Sequence, residues 1–161
     1  MTTTPVSPAT TRGMRITGWG SALPEKVVTN ADLEASLDTS DAWITERTGI
    51  RERRIGGTTS GLATEAGGAA LRSAGVDPAD VDLVLVATCT PDQAMPATAA
   101  TVQDALAVRG GAMDINAVCS GFVYGLVTAA GLLATGAERL LLIGADTMSG
   151  IVDWDDRSTP R

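Results

Sequence analysis

Cys119 stands in the stretch DINAVCSGFVYGL (residues 114–126), where an apolar run gives way to Ser120 and Gly121. A thiol at the junction between a strand and a helix faces the unpaired amides and positive dipole end of that helix. Both favour negative charge, so a cysteine placed there can react as thiolate. The small residues after it would let a substrate carbonyl approach, and a backbone N–H of the same turn could serve as an oxyanion donor. The layout mirrors a nucleophile elbow, although G-x-S-x-G itself is absent. The competing reading is a small hydrophobe packed in a core, because free cysteine is among the most buried residue types. The chain contains no histidine, the usual activating partner of such a thiol. Cys89, the other cysteine, closes a strand with no helix directly behind it, which makes it the weaker candidate.

The elements that must position Cys119 can be read from apolar runs. MRITGWGSAL, DLVLVATC, AMDINAV and RLLLIGAD read as strands, the second and fourth nearly continuous in Val, Leu and Ile, as in strands covered on both faces. Thr29 or Asn30 can cap ADLEASL, and Ser40 can cap DAWITERT, which stops at Gly49. Thr59 or Ser60 can open a helix that closes at Gly75, and Pro96 suits the first turn of ATAATVQDALAV. From Val81 onward the order is strand, helix, strand, helix, strand, which implies right-handed crossovers and a mainly parallel sheet. SGFVYGLVTAAGLLATG is apolar on every side, so the helix after Cys119 is expected to be central and buried.

With 161 residues the chain is about one domain, and 44% hydrophobic content with only 3% aromatic leaves Ala, Val, Leu and Gly to fill the core. A net charge of −7 argues against a general nucleic-acid binder. No apolar run is long enough to suggest a membrane span. Residues 1–13 lack a secretory h-region and read as a disordered tail, followed by a single unit over 14–161. Reduced thiols and a cytoplasmic location are the default expectation. With no histidine and no C-x-x-C, no metal site is expected. The pair Gly18 and Gly20 lacks the third glycine of a dinucleotide fingerprint. Trp43 and Arg47, four apart, share one face of their helix, and Arg51, Arg53 and Arg54 form either a phosphate-binding patch or a solvated surface.

DINAVCSGFVYGL resembles the active-site segment of the β-ketoacyl-acyl-carrier-protein synthase III family, within the thiolase-like superfamily. GWGSALPEKVVTNADLEASLDTSDAWITERTGIRERRI, LVLVATCTPDQAMPATAATVQ and LLLIGADTMSG followed by DWDDRST extend the likeness over residues 14–159. The resemblance implies the N-terminal half of a thiolase-like α/β fold. It also implies an acyltransferase in which Cys119 accepts an acyl group from acyl-CoA, for decarboxylative condensation with malonyl-acyl-carrier protein in fatty-acid or polyketide initiation. Acyl-CoA would be substrate, and no cofactor is implied. Trp43, Arg47 and Arg157 match positions that hold the adenine end of coenzyme A, and Thr39 matches a nearby contact. Flat indole and guanidinium faces suit stacking on a base. Met95 matches a position reaching a partner subunit's acyl pocket, and a homodimer is implied.

The family's histidine and asparagine belong to a second half that the resemblance does not cover, so the chain reads as truncated and negligible condensation is expected from it alone. A complementing C-terminal half is one implied partner. A non-catalytic coenzyme-A-binding or assembly module and an inactive fragment are the alternative readings.

Overall fold

The computed structural model describes residues 13–156 and 159. The expected tail over residues 1–13 lies outside them except for Gly13. At the centre is a three-stranded parallel sheet in the order β4-β3-β5, formed by β3 (Leu83–Ala87), β4 (Gly111–Ile115) and β5 (Leu140–Gly144). The registers pair Ala87 with both Ile115 and Gly144, so all three strands end level at their C-terminal side.

Two helices lie on one face, α3 (Thr59–Ala74) and α4 (Thr98–Ala105), and α5 (Gly121–Ala134) lies on the other. The alternation of strand side chains shows the layering. Leu141 and Ile143 of β5 meet Gly67 of α3, whereas Leu142 meets Gly125 of α5. From β3 the chain steps one way through α4 to β4. It then crosses back over β3 through α5, on the opposite face, to β5. Direction and face both reverse, so the two crossovers keep one hand, as twisted parallel strands require.

The main core fills the α3/α4 side. Val84, Val86, Leu141 and Ile143 pack there against Ala63, Leu71, Ala99 and Val102, all buried. Small residues set the other interface. Gly121, Gly125 and Ala129, four apart, are the buried positions of α5, and a Cβ on Gly125 would stand 2.5 Å from Leu142 Cδ1. The helix thus rests directly on the sheet. The expectation of a buried α5 is met on that side only. Phe122, Val123, Tyr124 and Val127 are 46–68% exposed, so a helix apolar all round is covered on one face by this chain.

Helix ends follow the local chemistry closely. Thr29 forms a capping box with Asp32 at α1 (Asn30–Glu34), and Ser40 caps α2 (Asp41–Thr48), which stops at Gly49 with φ 74°. Gly75 ends α3 in the same left-handed way, and Thr58, one residue before the expected position, is its N-cap. At α4 the expectation needs correction, because the helix starts at Thr98 rather than around Pro96. Its first amides are taken by a residue distant in sequence: Thr98 and Ala99 donate to the Asp114 carboxylate at 2.8 and 2.7 Å. Removing that cap with Asp114→Ala is expected to lower stability by about 1–2 kcal/mol, measured by urea denaturation.

Two further corrections concern the first third of the chain. MRITGWGSAL forms no strand; residues 13–24 carry no assigned secondary structure and run over α3. Gly18 and Gly20 allow the close approach, since a Cβ on either would lie 2.5–2.7 Å from atoms of Ala66, Ala69, Ala70 and Ala74. A strand requires an adjacent edge to bond to, and a cavity separates this segment from β5. Conversely, an antiparallel ribbon of β1 (Lys26–Thr29) and β2 (Glu52–Ile55) forms where the sequence shows mainly charge. Arg53, within β2, donates from Nη1 to Asn30 Oδ1 at 2.6 Å, and burial lowers its pKa from the ordinary value. Buried Asn30 passes the connection on to Asp41 and to the Ile50 carbonyl. Arg53 therefore fastens the ribbon to α1 and α2, and Arg54 faces Glu52 on the surface.

Candidate active site

Cys119 lies in a single 3₁₀ turn, Val118–Ser120, wedged between the end of β4 and the start of α5. Two features of the turn are unusual. Val118 adopts φ +48°, a left-handed conformation that a β-branched residue rarely accepts, and it does so while 62% exposed. Cys119 itself is exposed and unpaired with another sulfur. The thiol is therefore not packed in a core in the chain as described. The next helix begins with no side-chain cap. The Ser120 and Gly121 amides close the turn on the Ala117 and Val118 carbonyls. Neither is free to serve as an oxyanion donor.

The sheet brings the two cysteines to the same edge. Cys89 follows β3 by two residues, Cys119 follows β4 by four, and Thr88 N–H extends the pairing to the Ile115 carbonyl at 3.1 Å. Their chemistry is then separated by a residue that sequence reasoning missed. Asp146, just beyond β5, gathers the turn after β3 on one oxygen. Its Oδ1 accepts from Thr88 Oγ1 at 3.0 Å, Cys89 N at 2.8 Å, Thr90 N at 3.1 Å and Thr90 Oγ1 at 3.0 Å. Its hydrogen bond to the Cys89 thiol is the main cause that raises the Cys89 pKa. Desolvation and the negative charges of Asp146 and Cys119 add to it. Cys89 is thereby kept as a protonated thiol, and Cys119 is left as the exposed sulfur of the pair. A carboxylate ending an apolar strand was the available signal, but nothing in the sequence names the residues it would meet.

Desolvation raises the Asp146 carboxyl, but the hydrogen bonds from Cys89, Thr90 and Thr88 outweigh it and hold the pKa below the ordinary carboxylate value. A depressed folded pKa gives stability that is present above the unfolded pKa of about 3.9 and is lost as pH falls through the lower folded value. Asp92, which accepts from the Thr59 and Ser60 amides at the start of α3, shifts in the same direction. Thermal stability is therefore expected to fall below about pH 4. Because Asp146 is solvent-exposed, Asp146→Asn should remove only about 1 kcal/mol and flatten part of that acid limb. The same substitution should speed Cys89 alkylation by iodoacetamide, read by peptide mass spectrometry.

The remaining sequence candidates fall into separate places. Trp43 and Arg47 come together on α2, with the guanidinium carbon 4.9 Å from the indole centroid. Trp43 is half-buried and Arg47 exposed. Thr39, just before the α2 cap, keeps its hydroxyl oxygen buried without a hydrogen-bond partner. Met95 stands in the loop between β3 and α4 and is 81% exposed. Arg157 lies outside the described residues. Among the described residues no group of three or more His, Cys, Asp or Glu side chains could hold a metal ion, and no helix is long and apolar enough to cross a membrane.

This parallel sheet layered by helices also occurs in solved structures. The 3-oxoacyl-[acyl-carrier-protein] synthase III of Aquifex aeolicus superposes with a TM-score of 0.89 at 48% identity, over 92% of this chain and 49% of that one. The priming β-ketosynthase of the R1128 polyketide pathway gives 0.86 at 34% identity, over 89% of this chain and 45% of that one. The fold is the N-terminal half of a thiolase-like α/β protein.

The sequence narrows the class. The β-ketoacyl-[acyl-carrier-protein] synthase III of Erythrobacter litoralis is 58% identical over 149 residues, 89% of this chain and 46% of the relative. The family model for 3-oxoacyl-[acyl-carrier-protein] synthase III matches residues 113–160, which include the Cys119 turn. The chain matches the N-terminal half of the β-ketoacyl-[acyl-carrier-protein] synthase III family, and spans about half the length of the curated relatives it matches.

Proposed function

We propose that this chain is the thiol-bearing half of an acyltransferase of the 3-oxoacyl-acyl-carrier-protein synthase III type. The observation that carries the reading is the exposed Cys119 in a strained turn before the uncapped start of α5. The Cys119 thiolate attacks the carbonyl carbon of acyl-CoA, forming a C–S bond and moving the carbonyl electrons onto oxygen. Collapse expels the coenzyme as its thiolate, which takes up a proton, and leaves an S-acyl Cys119. The acyl group then awaits the carbanion that decarboxylation of malonyl-acyl-carrier protein would supply.

Coenzyme A is assigned to the α2 surface. Arg47 covers one face of Trp43 and, being exposed, presents its outer face to an adenine. Thr39, beside the α2 cap, and Arg157 would complete the contacts to coenzyme A, Arg157 at its adenine end. Met95 offers an exposed apolar side chain to a second subunit of a homodimer. Donors that stabilise the enolate of condensation typically contribute ~10²–10³-fold each. The chain has no histidine to act as one, so acyl transfer without measurable condensation is the activity expected of it. Incubation with acetyl-CoA followed by intact mass spectrometry tests this. A single acetyl adduct supports the reading, and an unmodified chain that still binds coenzyme A would favour a binding module.

A further inference from the structure

The two cysteines of the chain follow neighbouring strands of one sheet, and the backbone brings them to one place. Continuing the β3–β4 register past Ala87 and Ile115 puts Cys89 level with Ala117. The Thr88 amide bonds to the Ile115 carbonyl at 3.1 Å along that line. Adjacent strands lie about 4.8 Å apart. After Ala117 the backbone folds back, because the Ser120 amide returns to the Ala117 carbonyl at 3.0 Å. The start of α5 then lies over the end of β3, where a Cβ on Gly121 would stand 3.3 Å from the Ala87 Cβ. Cys119 is thus bracketed by Ala117, level with Cys89, and by Gly121, over Ala87. A disulfide needs its two Cα atoms about 4.4–6.8 Å apart, which is the scale of this neighbourhood.

The two thiols differ as an oxidised and a resolving cysteine must. Cys119 is exposed, whereas Cys89 is half-covered and donates its thiol to Asp146. A charge on Cys119 is felt at Cys89, where it adds to the rise in that pKa. The turn that must shift to close a bridge, Val118–Ser120, contains no buried residue. Its one backbone strain, φ +48° at Val118, stands in the same exposed turn. An accessible thiolate beside a second thiol is the arrangement in which a sulfenic acid is captured as a disulfide.

We infer that Cys89 and Cys119 are a redox pair, joined by a reversible disulfide when the chain meets a hydroperoxide. The Cys119 thiolate attacks one peroxide oxygen, forming an S–O bond and breaking the O–O bond. The other oxygen leaves as hydroxide, takes up the proton the thiol had lost and departs as water. Cys89 then attacks the sulfenic sulfur, an S–S bond forms, the S–O bond breaks, and hydroxide leaves with the Cys89 proton as a second water. The two thiols together lose two electrons and the peroxide gains them. The bridge occupies the sulfur that acyl transfer needs and keeps it from irreversible sulfinic acid. That consequence for acyl transfer rests on the proposed role of Cys119, and the disulfide itself does not.

Hydrogen peroxide treatment of the full chain tests it, followed by alkylation of remaining thiols and peptide mapping without reduction. A mass lower by about 2 Da and a linked pair of peptides carrying residues 89 and 119 are expected, in a chain that stays monomeric on a non-reducing gel. Acetylation by acetyl-CoA should fall at least about tenfold and return after dithiothreitol. In Cys89→Ala, and in Cys89→Ser, which keeps a donor for Asp146, the same treatment should instead add about 32 Da at Cys119, and dithiothreitol should not reverse it. The inference is overturned if no 89–119 link forms, if the only disulfides join separate chains, or if wild type and both variants oxidise alike. A chain that forms the bridge but is never acetylated before oxidation would uphold the redox pair and refute the acyl-transfer reading.

Discussion

Cys119→Ala should abolish the acetyl adduct that the wild-type chain forms with acetyl-CoA, a loss of at least about 10³-fold in initial rate. Cys89→Ala should retain it. The contrast follows from two sulfurs at one sheet edge in different surroundings. Cys89 donates to Asp146 and is held protonated, with its pKa raised, whereas Cys119 is exposed at the helix start. Intact mass spectrometry followed by peptide mapping decides the matter. Acetylation that survives Cys119→Ala and disappears with Cys89→Ala would reverse the assignment. Because Cys119 is solvent-exposed, replacing its thiol with hydrogen should cost little stability, and an unchanged thermal transition would separate lost chemistry from lost folding.

Gly110→Ala should have the largest effect on folding, about 2–3 kcal/mol, or a Tm lower by roughly 5–12 °C for a domain of this size. A Cβ at this position would lie 2.2 Å from the Asp82 carbonyl oxygen and 2.4 Å from that of Val81. Both are backbone atoms, so no side chain can rotate away. The clash falls where β4 enters its register with β3, immediately before the Gly111 amide bonds to the Asp82 carbonyl at 2.9 Å. β4 carries Asp114, which caps α4, and leads directly into the Cys119 turn. Acetylation of Cys119 should therefore slow in step with the loss of stability. Calorimetry and the mass assay on the same sample would show whether the two move together.

What lay in the sequence was whatever depends on neighbouring residues. Strands β3 and β5 were legible because Val, Leu and Ile run together between turn residues, and the α1, α2 and α3 ends because caps act within three or four residues. The position of Cys119 at an elbow follows from the same local pattern, and the family resemblance supplied its proposed role. Tertiary structure decided the rest. Asp146 meets the 88–90 turn across 56 to 58 positions, and Asp114 caps α4 across 15 and 16; such partners leave no periodic mark. MRITGWGSAL has the composition of a strand but remains unpaired, because a strand exists only where another edge offers its hydrogen bonds. Composition likewise marked α5 as a helix to be covered on every side. Only the packed chain reveals which side it covers itself, because burial depends on which surfaces meet.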